Sequence, residues 1–98
     1  MNTYIYTLKL IKRLWSDEAW TDRDEAIVAE HFNRLKIDFE RGIVLHAGRT
    51  EKTDAGGFGI VIFKATDLRI AEKYMQNDPV VAQGIMEANC QLYRIALG

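Results

Sequence analysis

An α+β domain with its elements in the order βαββαβ is what this sequence predicts, and three observations carry the prediction. Two stretches place apolar residues at three- and four-residue steps, as the core-facing stripe of a helix does: Ile27, Val28, Phe32, Leu35 and Phe39 in one, Leu68, Ala71, Tyr74 and Met75 in the other. Four stretches instead carry β-branched and aromatic residues in two alternating rows. Helix-like and strand-like stretches interleave with short connections, which is the ferredoxin-like arrangement: a four-stranded antiparallel sheet with two helices on one face.

The first strand spans Thr3 to Ile11, with Tyr4, Tyr6, Leu8 and Leu10 in one row and Thr3, Ile5, Thr7, Lys9 and Ile11 in the other. A polar and aromatic linker follows, Lys12 to Trp20. Thr21-Asp22-Arg23-Asp24 then reads as a capping-box-like helix start. Gly42, after Arg41, is a C′ stop for that helix. Ile43 to Ala47 forms a short apolar strand, and Gly48 to Gly57 is a polar connection with glycines at its end. Phe58 to Ala65 forms the third strand, with Phe58, Ile60 and Ile62 on one face and Val61, Phe63 and Ala65 on the other. Thr66 caps a second helix, Asp67 to about Asn77. A turn at Asp78-Pro79 leads to the last strand, Met86 to Leu97, where the alternation of Ala88, Cys90 and Leu92 changes phase to Tyr93, Ile95 and Leu97 and suggests a bulge near Leu92.

Bulk properties narrow the function. The 98 residues make one domain with a thin stability margin, and a net charge of −1 offers no field that would gather nucleic acid or an anionic membrane. A single cysteine, Cys90, allows neither an intramolecular disulfide nor a thiolate metal cluster, so the expectation is a cytoplasmic protein. Met1 to Trp15 interleaves threonine, lysine and arginine with apolar residues and reads as neither signal peptide nor membrane span. The third strand lacks the basic, aromatic-rich pattern of an RNA-binding sheet, and Gly56, Gly57 and Gly59 precede a strand rather than a helix, so they are no phosphate loop. Both rows of strands one and three are largely apolar, while two helices cover only one face. A second copy of the same sheet is the simplest cover for the other, which predicts a two-fold homodimer.

Few residues can carry chemistry. Asp78 stands before the only proline, and proline pulls it out of helical geometry, so its carboxylate is held as stiffly as either a helix cap or a general acid or base requires. The two roles are compatible. His31 lies one helical turn from Ile27 and Leu35, on the apolar stripe, as a satisfied core histidine or a partly desolvated catalyst would. His46 lies in a strand, beside Val44 and Gly48, with its face undetermined. A zinc or iron site from His31, His46 and Asp78 has suitable ligand types but no ligand spacing, so no metal is assigned. Tyr4 and Tyr6 either pack or line a pocket through their hydroxyls. Trp15 and Trp20, both outside periodic elements, are expected to cover a cleft or dock on a partner subunit.

Glu30-His31-Phe32, Gly42-Ile43-Val44-Leu45-His46-Ala47-Gly48, Gly57-Phe58-Gly59-Ile60-Val61-Ile62-Phe63 and Asn77-Asp78-Pro79-Val80-Val81-Ala82-Gln83-Gly84-Ile85 together resemble the YciI-like (YCII-related domain) family, from about Asp24 to Leu97. The resemblance implies a dimeric α/β-barrel relative with a His-Asp pair in a cleft, and the motif puts that pair at His31 and Asp78. Arg49 stands where family members often carry proline after Ala-Gly.

Joined to the residues, the resemblance implies acid-base chemistry of isomerase or lyase type on a small organic molecule. His31 would transfer the proton, Asp78 would orient it, and Arg49, Tyr6 and His46 would contact substrate; no cofactor is implied. The alternative is a non-catalytic dimeric small-molecule-binding or regulatory module in which His31 and Asp78 are structural. A monooxygenase is suggested by fold analogy alone.

Overall fold

The computed structural model, spanning residues 1–98, has the expected element order. It runs β1 (Asn2–Leu10), α1 (Asp22–Glu40), β2 (Val44–Arg49), β3 (Gly59–Ala65), α2 (Leu68–Gln76), a one-turn α3 (Pro79–Ala82) and β4 (Met86–Leu92). The strands form one antiparallel sheet in the order β2-β3-β1-β4, which is the ferredoxin-like topology. Two short 3-10 turns, Lys12–Trp15 and Asp17–Ala19, bridge β1 and α1. No helix is long and apolar enough to cross a membrane.

The core lies between the helices and one sheet face. Tyr4, Tyr6 and Leu8 of β1 and Val61, Phe63 and Ala65 of β3 meet Ile27 and Leu35 of α1, Ala71 and Met75 of α2, and Val80 of α3. The other face carries Ile5, Ile60 and Ile62 at its centre, with polar Glu87, Asn89 and Gln91 from β4 beside them. No helix covers that face.

Local chemistry explains most boundaries. α1 begins with a full capping box: the Thr21 hydroxyl accepts from the Asp24 amide, and Asp24 accepts from the Thr21 amide. It ends before Gly42, whose φ of +79° is one that residues with a Cβ rarely adopt. The cap of α2 is Asp67, which accepts from the Ile70 amide, rather than Thr66. Either residue type caps well, and the carboxylate one position later reaches the free amides.

Two differences in the strands matter more. β4 stops at Leu92 because its partner runs out: Leu92 pairs with Tyr4, near the start of β1, and Tyr93 makes one last bond to the Thr3 carbonyl. The phase change after Leu92 is therefore a strand end and not a bulge. The bulge is in β2, where Val44 pairs with Phe63 and His46 with Ile62, leaving Leu45 as the extra residue. Beyond it the faces exchange. Arg49, opposite Gly59, joins the helix-covered side, while His46, opposite Ile62, points to the uncovered side.

Candidate active site

Asp78 is approached by three side chains from two elements other than its own turn, β1 and α1. It precedes Pro79 at the N-cap of α3, with extended backbone angles of φ −61° and ψ 128°, and its Oδ1 accepts from the Val80 amide at 3.2 Å. The side chain is fully buried. Such a charge is tolerated only when its lone pairs are filled, and here they are. Tyr6, from the centre of β1, donates its hydroxyl to Oδ2 at 2.7 Å. His31, from α1, approaches with Nδ1 at 2.7 Å from Oδ1 and 2.8 Å from Oδ2. Arg34, one turn further along α1, brings Nη1 to 3.9 Å from Oδ2.

Burial is the largest single influence on the Asp78 carboxyl and opposes its ionisation. The bond and charge of His31, the Tyr6 hydroxyl and the Val80 amide together outweigh it and hold the group below the ordinary carboxylate range. An ionised carboxylate only accepts, so His31 Nδ1 carries the proton. In the neutral ring Nε2 is then the lone-pair nitrogen. It makes no hydrogen bond within the protein and is not sealed from solvent.

His31 forms part of the wall of a cavity of about 740 Å³. Leu8, Val28, Leu35 and Val61 form apolar walls, Trp20, Phe32 and Phe58 bring aromatic rings, and Arg49, Thr50 and Lys52 enter from the β2–β3 side. Apolar walls with a few convergent polar groups are the usual make-up of a small-molecule site. Gly57 closes the β2–β3 loop against the Lys52 carbonyl, where an added Cβ would stand only 2.0 Å from that oxygen.

The expected site residues thus separate. His31 and Asp78 come together, with His31 and Arg49 on the cavity wall. Tyr6 does not reach the cavity, because it is fully buried and its hydroxyl is committed to Asp78. His46 does not reach it either, because the bulge at Leu45 turns it to the opposite sheet face. No three His, Cys, Asp or Glu side chains gather as metal ligands. Trp20 forms part of the cavity wall and donates Nε1 to the Leu14 carbonyl, whereas Trp15 remains 38% exposed. Burial, then the charge of Glu72, pushes the half-buried Cys90 thiol up to about 11, so it is a poor nucleophile near neutrality.

Arg34 escaped the sequence reading, and Tyr74 entered it only as a residue of the second helix's apolar stripe. Arg34 donates Nη2 to the Tyr74 carbonyl at 2.7 Å and lies 3.9 Å over the Tyr74 ring, and Tyr74 donates its hydroxyl to Asp38 at 2.6 Å. The three-residue step from His31 to Arg34 puts both on one helix face and was the available signal for Arg34.

The YCII-related domain model matches residues 8–90. The chain belongs to the YCII-related domain family. No curated protein matches the sequence. Among solved structures, 5-chloro-2-hydroxyhydroquinone dehydrochlorinase from Burkholderia phenoliruptrix, in complex with 2,5-dihydroxybenzoquinone, is similar, with a TM-score of 0.55 and 16% identity over 92% of this chain and 93% of that one. At that identity the likeness establishes the fold this YCII-related chain shares with an enzyme of lyase type.

Proposed function

We propose that this YCII-related protein performs proton-transfer chemistry of lyase or isomerase type on a small oxygenated ring compound, with His31 as the base. One observation carries the reading: His31 is tied through Nδ1 to a buried carboxylate while its free Nε2 belongs to a ring on the cavity wall. Nε2 would take a proton from a substrate hydroxyl or an activated C–H, and Asp78 would stabilise the resulting imidazolium. Trp20, Phe32 and Phe58 suit a flat ring, and Arg49, which has no carboxylate partner, suits an oxyanion on it. A hydroxylated quinone of the kind bound by the dehydrochlorinase fits that description.

The test is to titrate the protein with 2,5-dihydroxybenzoquinone, following quenching of tryptophan fluorescence, and to assay chloride release from 5-chloro-2-hydroxyhydroquinone. Binding and release that are both lost in His31→Gln support the reading. Binding that His31→Gln leaves unchanged, without chloride release, favours the non-catalytic binding module instead.

We further propose that the chain works in the cytoplasm as a homodimer joined through the uncovered sheet face. The apolar centre at Ile5, Ile60 and Ile62 supports this, as does the absence of any helix on that side. Ile60→Glu should convert a dimer, measured by sedimentation at micromolar concentration, into a folded monomer. A wild-type monomer would remove the proposal.

A further inference from the structure

Asp78 Oδ2 has a partner that the acid-base reading does not use. We propose that Tyr6 is a positioning residue: its buried hydroxyl, donated to Oδ2, fixes the rotation of the Asp78 carboxylate and so holds His31 in the tautomer whose Nε2 lone pair is left for substrate. This inference rests on the proposed use of His31 as a base.

The contacts of Asp78 differ in what they can fix. His31 Nδ1 sits almost evenly between the two oxygens, at 2.7 and 2.8 Å, a bifurcated geometry that needs the carboxylate edge turned toward the ring. Rotation about the Cβ–Cγ bond would break it. The Val80 amide, at 3.2 Å from Oδ1, is at the long end of hydrogen bonding and restrains rotation weakly. Arg34 Nη1, 3.9 Å from Oδ2, makes no hydrogen bond and supplies charge without direction. Tyr6 remains. Its 2.7 Å bond is as short as O–H···O bonds ordinarily are, and it acts on the oxygen that Val80 leaves free.

Tyr6 is also anchored well enough to serve as a reference point. It lies on β1, an inner strand of the sheet, with no exposed surface. Its ring packs edge-on against Phe63, with centroids 5.4 Å apart and planes at 75°, and against Tyr74 at 6.4 Å and 62°. Burial first, and the adjacent Asp78 second, push the phenol above its ordinary range, so it stays a donor. Fixing a catalytic histidine's tautomer through the partner of its other nitrogen is a recognised requirement for a base.

The experiment is nitrogen NMR of the histidine side chains in the whole protein, comparing wild type with Tyr6→Phe, with exposed His46 as internal reference. Wild type should show His31 Nε2 as the lone-pair nitrogen and Nδ1 as the protonated one. Tyr6→Phe, which keeps the ring packing, should move both signals toward the average of the two tautomers. A His31 spectrum unchanged by Tyr6→Phe would overturn the proposal. Should that variant fail to fold, wild type still decides: a slowly exchanging Tyr6 hydroxyl proton with a cross-peak to the His31 Nδ1 proton supports the inference, and its absence overturns it. Failure of the base reading looks different, because 2,5-dihydroxybenzoquinone would then bind His31→Gln as tightly as wild type while the tautomer result stood.

Discussion

Two carboxylates are buried in this protein, Asp24 and Asp78, and their partners differ in kind. Both serve at helix starts, and both are held below the ordinary carboxylate range. Asp24 is gripped by Arg13 through two bonds of 2.9 Å and by the Thr21 amide and hydroxyl at 3.0 and 2.9 Å. Arg13 never gives up its proton, so nothing at Asp24 can switch. Its effect is to tie the 3-10 turns to α1, and Trp20, one residue before the capping Thr21, is placed on the cavity wall. Asp78 instead has an imidazole partner whose second nitrogen is free of any bond within the protein. Burial and a lowered carboxyl do not separate a structural acid from a functional one. The proposed role of Asp78 rests instead on the kind of partner it has and on that partner's place on the cavity wall.

The comparison is most exposed to failure in turnover. His31→Gln should lower chloride release from the chlorinated hydroxyhydroquinone by roughly 10²–10⁴-fold, the usual contribution of a positioned base, while Asp24→Asn should lower thermal stability and leave the rate within a few-fold. Equal losses in the two variants would erase the distinction.

Stability should separate two variants of Asp78. Asp78→Ala removes the cap and strands Tyr6, His31 and Arg34 in a buried site, at a cost of about 3 kcal/mol by denaturant titration. Asp78→Asn still caps and still accepts one bond, so it should cost about 1 kcal/mol. An Asn variant as unstable as the Ala variant would show that charge, rather than cap geometry, dominates there.

Acid should act on both carboxylates at once. Each binds its proton less readily folded than unfolded, so their contribution is complete above the unfolded value of about 4 and is lost as the pH falls through the lower folded values. Denaturant midpoints should be flat above about pH 5 and fall below about pH 4, with a shallower fall in Asp78→Asn. A midpoint that rises on acidification would contradict both assignments.

What the sequence determined by itself is what depends on neighbours a few residues away. The capping box at Thr21 and Asp24, the stop at Gly42, the proline-stiffened Asp78 and the alternating rows of β1 and β3 are local matters, and the structure contains each of them. A family resemblance was needed to suggest that His31 and Asp78 meet, since 47 residues separate them. Only the tertiary structure decided the rest. Tyr6 reaches Asp78 across 72 residues, and a bonded hydroxyl leaves no mark on the strand pattern, since a tyrosine fits the apolar row either way. The single extra residue at Leu45 exchanges the faces of His46 and Arg49, because side chains alternate with a period of two and one inserted residue reverses every position after it. Such a bulge is chosen when the strand pairs with β3, and no residue near Leu45 announces it.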